Sequence, residues 1–167
     1  MCKLCWTVKL KQALNPGQRI AILGVGHELR GDDAAGVLVA RELHTALPAH
    51  DNLLIIEAGP LPENHTGALR RFAPDVVVLV DAALMQAEAG AVNWIDWRII
   101  AGGGPSTHTL PLHVFARYVE DEFGCTVHII GIQPENNALL AELSEPVQMA
   151  VQSVVGEIVN WMGTPPV

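Results

Sequence analysis

The feature that most constrains this chain is the run Ile20-Ala21-Ile22-Leu23-Gly24-Val25-Gly26-His27-Glu28-Leu29-Arg30-Gly31-Asp32-Asp33-Ala34-Ala35-Gly36. It opens as an apolar segment of strand length and breaks at two glycines spaced one apart. It then presents two adjacent aspartates and enters an Ala/Val/Leu-rich stretch of helical period. A strand that stops at glycines and feeds a helix puts its turn at the carboxyl edge of a sheet, where open α/β sheets bind ligands. Carboxylates at the start of that helix meet the positive end of its dipole. Asp33 is therefore expected to point into that edge, as a candidate metal ligand or catalytic group. A dinucleotide fingerprint fits poorly. It wants a third glycine where Leu29 stands, and an acidic residue about 20 positions on, whereas Glu57 lies further away. The plainer alternative is that Asp32 and Asp33 only cap and charge a helix.

The rest of the chain alternates strands with helices. Residues 75–81 (Asp75-Val76-Val77-Val78-Leu79-Val80-Asp81) form the clearest strand; an unbroken β-branched run implies burial on both faces, as in a central parallel strand. Residues 19–25, 53–57 and 127–132 read as further strands, and 91–97 as an edge strand. Helices are expected over about 33–47, 64–72, 112–123 and from 144 onward, with Leu112, Phe115, Ala116, Val119 and Phe123 on one face and Val147, Val151, Val154, Ile158 and Trp161 on another. This order predicts an α/β fold: a doubly wound, mostly parallel sheet sandwiched between helices. Residues 1–18 read as an amino-terminal appendage, with Leu4, Val8 and Leu10 on one helical face and Asn15-Pro16-Gly17 as a break; residues 19–167 form the domain proper.

Composition narrows the class. The chain has 167 residues, 50% of them hydrophobic and 17% charged, which suits one globular domain with a sizeable core. A net charge of −8 argues against nucleic acid as a partner and suits a protein partner with a basic segment. No apolar run approaches the ~20 residues of a membrane span, and residues 1–11 lack the apolar core of a secretory signal. The expectation is a cytoplasmic protein with no membrane insertion. Cys2 and Cys5 make a lone C-x-x-C with no second pair to close a zinc site, so reduced, unlinked thiols are expected.

Chemistry gathers at strand ends. In a parallel sheet all carboxyl ends point the same way, so Asp33, after the first strand, and Asp81, ending the third, can meet if those strands are neighbours. A carboxylate ending so apolar a strand is costly to bury without a partner; Asp81 as a simple cap is the alternative. His108 follows Gly102-Gly103-Gly104-Pro105 and precedes a helix, so it could close over the same edge, although it is one of seven histidines. Two carboxylates and an imidazole make a three-ligand site with open positions, suited to a borderline divalent ion such as nickel or zinc. His27 sits in the glycine turn itself.

Leu23-Gly24-Val25-Gly26 followed by Gly31-Asp32-Asp33-Ala34-Ala35-Gly36 resembles the amino-terminal signature of the [NiFe]-hydrogenase maturation endopeptidases. Val80-Asp81-Ala82, Thr107-His108-Thr109-Leu110-Pro111-Leu112 and Ile130-Gly131-Ile132-Gln133-Pro134 are similar to the family's later blocks, in the same order and at similar spacing. The resemblance spans about residues 19 to 162 and is nearest to the branch serving hydrogenase 3 large subunits. It implies that Asp33, Asp81 and His108 are the catalytic and metal-binding trio, and that the partner is a [NiFe]-hydrogenase large-subunit precursor. Its nickel would be presented by the precursor's cysteines, with zinc or another divalent ion able to substitute. The implied reaction is metal-assisted removal of a carboxy-terminal peptide. Position 27 is commonly Asn in that family and is His here. Ser106, Thr107 and Cys125 have no triad context. The rival reading is a non-catalytic nickel-binding checkpoint protein that docks on the precursor without cutting. A nucleotide-binding domain is disfavoured by Leu29.

Overall fold

The computed structural model describes residues 3–15, 17–99 and 110–163. In chain order the elements are α1 (Lys3–Ala13), β1 (Ile20–Val25), α2 (Ala35–Ala46), β2 (Leu53–Gly59), α3 (Thr66–Phe72), β3 (Val76–Ala82), β4 (Val92–Ile95), α4 (Leu112–Phe123), β5 (Thr126–Ile132) and α5 (Glu145–Met162). The strands form one sheet in the order β2-β1-β3-β5-β4. β1 pairs in parallel with both β2 and β3, and β3 with β5; only β4, at the edge, runs antiparallel. This is the expected α/β sandwich with a mostly parallel sheet.

The β3 run shows why the sheet is covered on both faces. Successive strand residues point to opposite sides. Val76, Val78 and Val80 enter a core with Ile20, Ile22 and Ile130 beneath α1, α2 and α5. Val77 and Leu79 enter a second core with Leu23, Ile129, Leu69 of α3 and Phe115 and Val119 of α4. Asp81 continues the second set, beyond Leu79, at the carboxyl end of β3.

Glycines decide how closely α2 can lie. A Cβ on Gly36 would overlap the carbonyl oxygens of Val25 and Val80, and one on Gly24 would overlap the carbonyl of Gly36. The helix therefore rests directly on the backbones of β1 and β3. Within the short turn Gly31–Ala34 that leads into it, Gly31 adopts φ +50. That left-handed conformation suits glycine.

Within the expected appendage, the described residues 3–15 pack on the domain. α1 forms, but its buried side chains are Trp6 and Leu10, joined by Leu14 just past its end, and all three belong to the α5-side core. Val8, expected on the inner face, is exposed. Trp6 and Leu10 lie four apart, as does Leu14 from Leu10, and that i, i+4 spacing gives the stripe that meets the sheet. Among the described residues no helix is long and apolar enough to cross a membrane.

Replacing Gly36 with Ala should separate α2 from the sheet, because the new methyl meets backbone rather than a movable side chain. Such overpacking is expected to cost about 1–3 kcal/mol or more, read as a lower urea midpoint.

Candidate active site at the carboxyl edge of the sheet

The glycine turn after β1 delivers Asp33. Gly26 has φ +135, and a Cβ there would collide with the carbonyl oxygen of Asp33. The bare face that a phosphate-binding turn would offer a ligand is thus filled by the chain's own backbone. Asp33 is half-buried, and its Oδ2 accepts the backbone N–H of His27 at 3.0 Å. Asp81 reaches the same place from β3, the strand hydrogen-bonded to β1. Opposite Asp81 in register is Gly131 of β5, where Ile95, Ala83 and Met85 leave no room for a side chain.

The Asp33 charge is felt at Asp81. Burial, followed by the charge of Asp33, pushes the Asp81 carboxyl up to about 7, against a small opposing hydrogen bond from the Ala82 amide. Neither aspartate is in an ion pair among the described residues. The structure therefore brings Asp33 and Asp81 together as their strand-end positions predicted. His108 lies outside the described residues, as do Ser106 and Thr107. Among the described residues no group of three or more His, Cys, Asp or Glu side chains is arranged to hold a metal ion. Two oxygen donors are in place at this edge, and the histidine expected to complete them belongs to the undescribed segment.

His27 is half-buried in the turn, and its Nδ1 accepts the backbone N–H of Leu29 at 3.2 Å. With Nδ1 used as an acceptor, the ring's other nitrogen carries the proton in the neutral form. An Asn side-chain oxygen makes the same bond to the residue two positions on in an Asx-turn. The two residue types can therefore do the same local work here.

Asp32, beside Asp33 in sequence, has a different task. It is fully buried. Its Oδ2 accepts the amides of Glu135 and Asn136, each at 2.8 Å, and the Ser144 hydroxyl at 2.9 Å; its Oδ1 accepts the Ser144 amide at 2.7 Å. Burial alone would raise this carboxyl. The hydrogen bonds from Asn136, Ser144 and Glu135 outweigh burial and hold it below the usual carboxylate range. Asp32 is thus the clamp that ties the β5–α5 connection to the glycine turn. No local sequence signal marks it, because its partners lie more than a hundred positions away.

Gln133 stands in one of the blocks that carry the family resemblance, but its role could not be read from the sequence. It is buried, and its Oε1 accepts the amides of Met85 at 2.7 Å and Ala87 at 3.3 Å. Its backbone exchanges bonds with Gly90 and Ala91. It fixes both ends of the loop that follows Asp81.

Cys125 and His128 are packed in the fold. Cys125 is buried and free, its Sγ donates to the Val119 carbonyl at 3.7 Å, and burial pushes its thiol up to about 11. It is not an activated nucleophile. His128 stacks against Trp94 with ring centroids 4.7 Å apart, and its pKa is lowered by burial and then by Arg98. Cys2 and the side chain of Cys5 lie outside the described residues.

The clamp gives a pH-dependent expectation. Asp32→Ala should destabilise the protein by on the order of 3 kcal/mol, since four donors lose one acceptor. The folded pKa of Asp32 is lowered, so its contribution is present above the unfolded value of about 3.9 and fades as pH falls through the folded one. The gap between wild type and variant in urea unfolding should therefore be widest at neutral pH and narrow below pH ~4.

Comparison with known proteins agrees with this architecture. The family model for hydrogenase maturation proteases matches residues 37–161. The hydrogenase 3 maturation protease of Escherichia coli K12 is 32% identical over 143 residues, spanning 85% of this chain and 90% of that protein. The crystal structure of the [NiFe] hydrogenase maturation protease HycI from Thermococcus kodakarensis superposes with a TM-score of 0.86 at 34% identity, covering 93% of this chain and 99% of that one. The solution structure of the endopeptidase HycI from Escherichia coli gives a TM-score of 0.73 at 32% identity, covering 87% and 92% respectively. This chain, with its aspartates at the ends of neighbouring parallel strands, belongs to the hydrogenase maturation protease family, a family of peptidases.

Proposed function

We propose that this protein removes the carboxy-terminal peptide from a [NiFe]-hydrogenase large-subunit precursor, and that it acts on precursor already carrying nickel. One observation supports the reading above others: two carboxylates, Asp33 and Asp81, converge at the carboxyl edge closely enough for one to raise the other's pKa. Holding like charges together is unfavourable unless a cation or a shared proton relieves them. A nickel ion held by the precursor's own ligands would be that cation. It is met as part of the substrate, and oxygen donors joined by the His108 imidazole suit it, as they would suit zinc or another divalent ion.

Peptide hydrolysis requires that water lose a proton as it attacks the carbonyl and that the departing amine gain one. Asp33 and Asp81 are the carboxylates at hand for that exchange; burial and the Asp33 charge push Asp81 up to about 7 without a cation beside it, and the precursor's nickel would draw it back down and hold both ionised. The precursor's nickel supplies Lewis acidity toward the scissile region or the attacking water. The described residues offer no activated thiol, because Cys125 is buried with its thiol at about 11. The proposed route therefore has no covalent intermediate.

The test mixes nickel-loaded and nickel-free precursor with wild type and with Asp33→Ala, Asp81→Ala and His108→Ala. Processing should require wild-type protein and nickel-loaded precursor together, with each variant slowed at least about a hundredfold. Efficient cleavage of nickel-free precursor would overturn the nickel requirement. Full activity in the aspartate variants would overturn the site. Precursor binding by wild type without any cleavage would favour the checkpoint alternative.

His27 gives a separate expectation. His27→Asn should retain processing, because an amide oxygen can accept the Leu29 N–H as Nδ1 does. His27→Ala, which leaves that donor unpaired, should process more slowly. Loss of activity in the Asn variant would show that the imidazole itself is required.

A further inference from the structure

The carboxyl edge differs from the rest of the surface in two ways. Leu29, Leu84, Leu139 and Leu140 are 56%, 77%, 65% and 75% exposed, and all lie in loops leaving the carboxyl ends of β1, β3 and β5. Two of those loops are joined directly, since the Leu140 amide donates to the Leu29 carbonyl at 2.7 Å. The other exposed leucines among the described residues are Leu61, after β2, and Leu110, before α4; the remaining large exposed apolar side chains are on helices, Val8 of α1, Val114 and Tyr118 of α4, and Met149 of α5, which lies beside the 86–91 loop. Leucines gathered on one face, with the β3–β4 loop fastened by Gln133 and the β5–α5 loop by Asp32, form an ordered apolar surface rather than scattered exposure.

The carboxyl edge is also acidic, whereas the opposite edge mixes both signs. The loops at residues 26–34, 60–65, 83–91 and 133–144 carry Glu28, Glu63, Glu88, Glu135 and Glu142 besides the aspartates, against Arg30 alone among Lys and Arg. At the opposite ends of the strands Arg19, Arg70, Arg71 and Arg98 are mixed with Asp51, Asp75, Asp96, Glu120 and Glu122, and Arg70 and Arg98 are paired with acids there. Glu28 is engaged by Arg41 at 2.6 Å, whereas Glu88, Glu135 and Glu142 are exposed and in no ion pair among the described residues.

We infer that Leu29, Leu84, Leu139 and Leu140, flanked by Glu88, Glu135 and Glu142, form the docking surface for the precursor, and that they take a segment whose apolar side chains are set between basic ones. The inference rests on reading this edge as the processing site, which the leucines surround. Apolar contacts would supply affinity, and the acidic flank would select basic neighbours and speed encounter. An acidic or uniformly polar segment would leave the leucines uncovered and meet repulsion.

The experiment measures steady-state cleavage of nickel-loaded precursor by wild type, Leu84→Ser, Leu140→Ser, their double variant and Glu135→Lys/Glu142→Lys. Val8→Ser and Tyr118→Ser, on helices away from the edge, are controls. Thermal melts check that each variant is folded, and binding of the precursor is measured in parallel. The double leucine variant should raise KM by about tenfold or more with kcat little changed. The charge reversal should raise KM and flatten its dependence on salt. The controls should match wild type. If wild type cleaves and the leucine variants keep its KM, or if the controls lose as much, the docking surface is overturned while the proposed function stands. If wild type binds without cleaving and the leucine variants lose that binding, the docking surface stands and the proposed function falls.

Discussion

The architecture depends on one close approach of backbones. Gly36 of α2 lies against the carbonyl oxygens of Val25 and Val80, with Gly24 opening space from the other side. Val80 immediately precedes Asp81, and Gly36 comes three residues after Asp33. The spacing of the two carboxylates is therefore set by main-chain contact between a helix and two strands. Long side chains in these places would hold the aspartates at a distance fixed only by rotamers. Glycine contacts hold it by the stiffness of the sheet itself, because packed backbone has almost no freedom to give.

A second theme is the use of buried polar side chains as fasteners for loops. Asp32 holds the β5–α5 connection, and Gln133 holds the β3–β4 loop; each does so by accepting backbone amides that no ladder would satisfy. Buried backbone donors need partners, and one carboxylate or amide oxygen serves several at once. The adjacent aspartates thus divide between them two tasks that look alike in sequence. Asp32 supplies rigidity, and Asp33 is left facing the edge.

Much of this could be read from residues alone, for identifiable reasons. The β3 run, apolar on both faces, could only be a central strand, and the periodic stripes of α4 and α5 match the side chains buried in the structure. Asp33 and Asp81 were legible because strand direction fixes which ends coincide in a parallel sheet. Asp32 and Gln133 were not, since their hydrogen bonds join segments tens to more than a hundred positions apart. α1 was legible as a helix but not as part of the core. Its inward face is marked by Trp6 and Leu10, and the more obvious Val8 faces solvent. Leu29, which disqualifies a dinucleotide fingerprint, turns out to be one of the most exposed leucines of the carboxyl edge.

The sheet order has a consequence in time. β5 lies between β3 and β4, so β4 has no strand to pair with until the chain has grown well past it. The Asp32 carboxylate likewise waits for Glu135, Asn136 and Ser144. As the chain emerges from the ribosome, β1, α2, β2 and β3 can assemble first, with Asp33 and Asp81 already side by side but the loops around them unfastened. The last third of the chain then inserts a strand, pins two loops and lays α5 over the core. A nascent chain cut short before residue 144 would carry both aspartates without the frame that holds them, so the carboxyl edge is finished only after the chain beyond residue 144 has emerged.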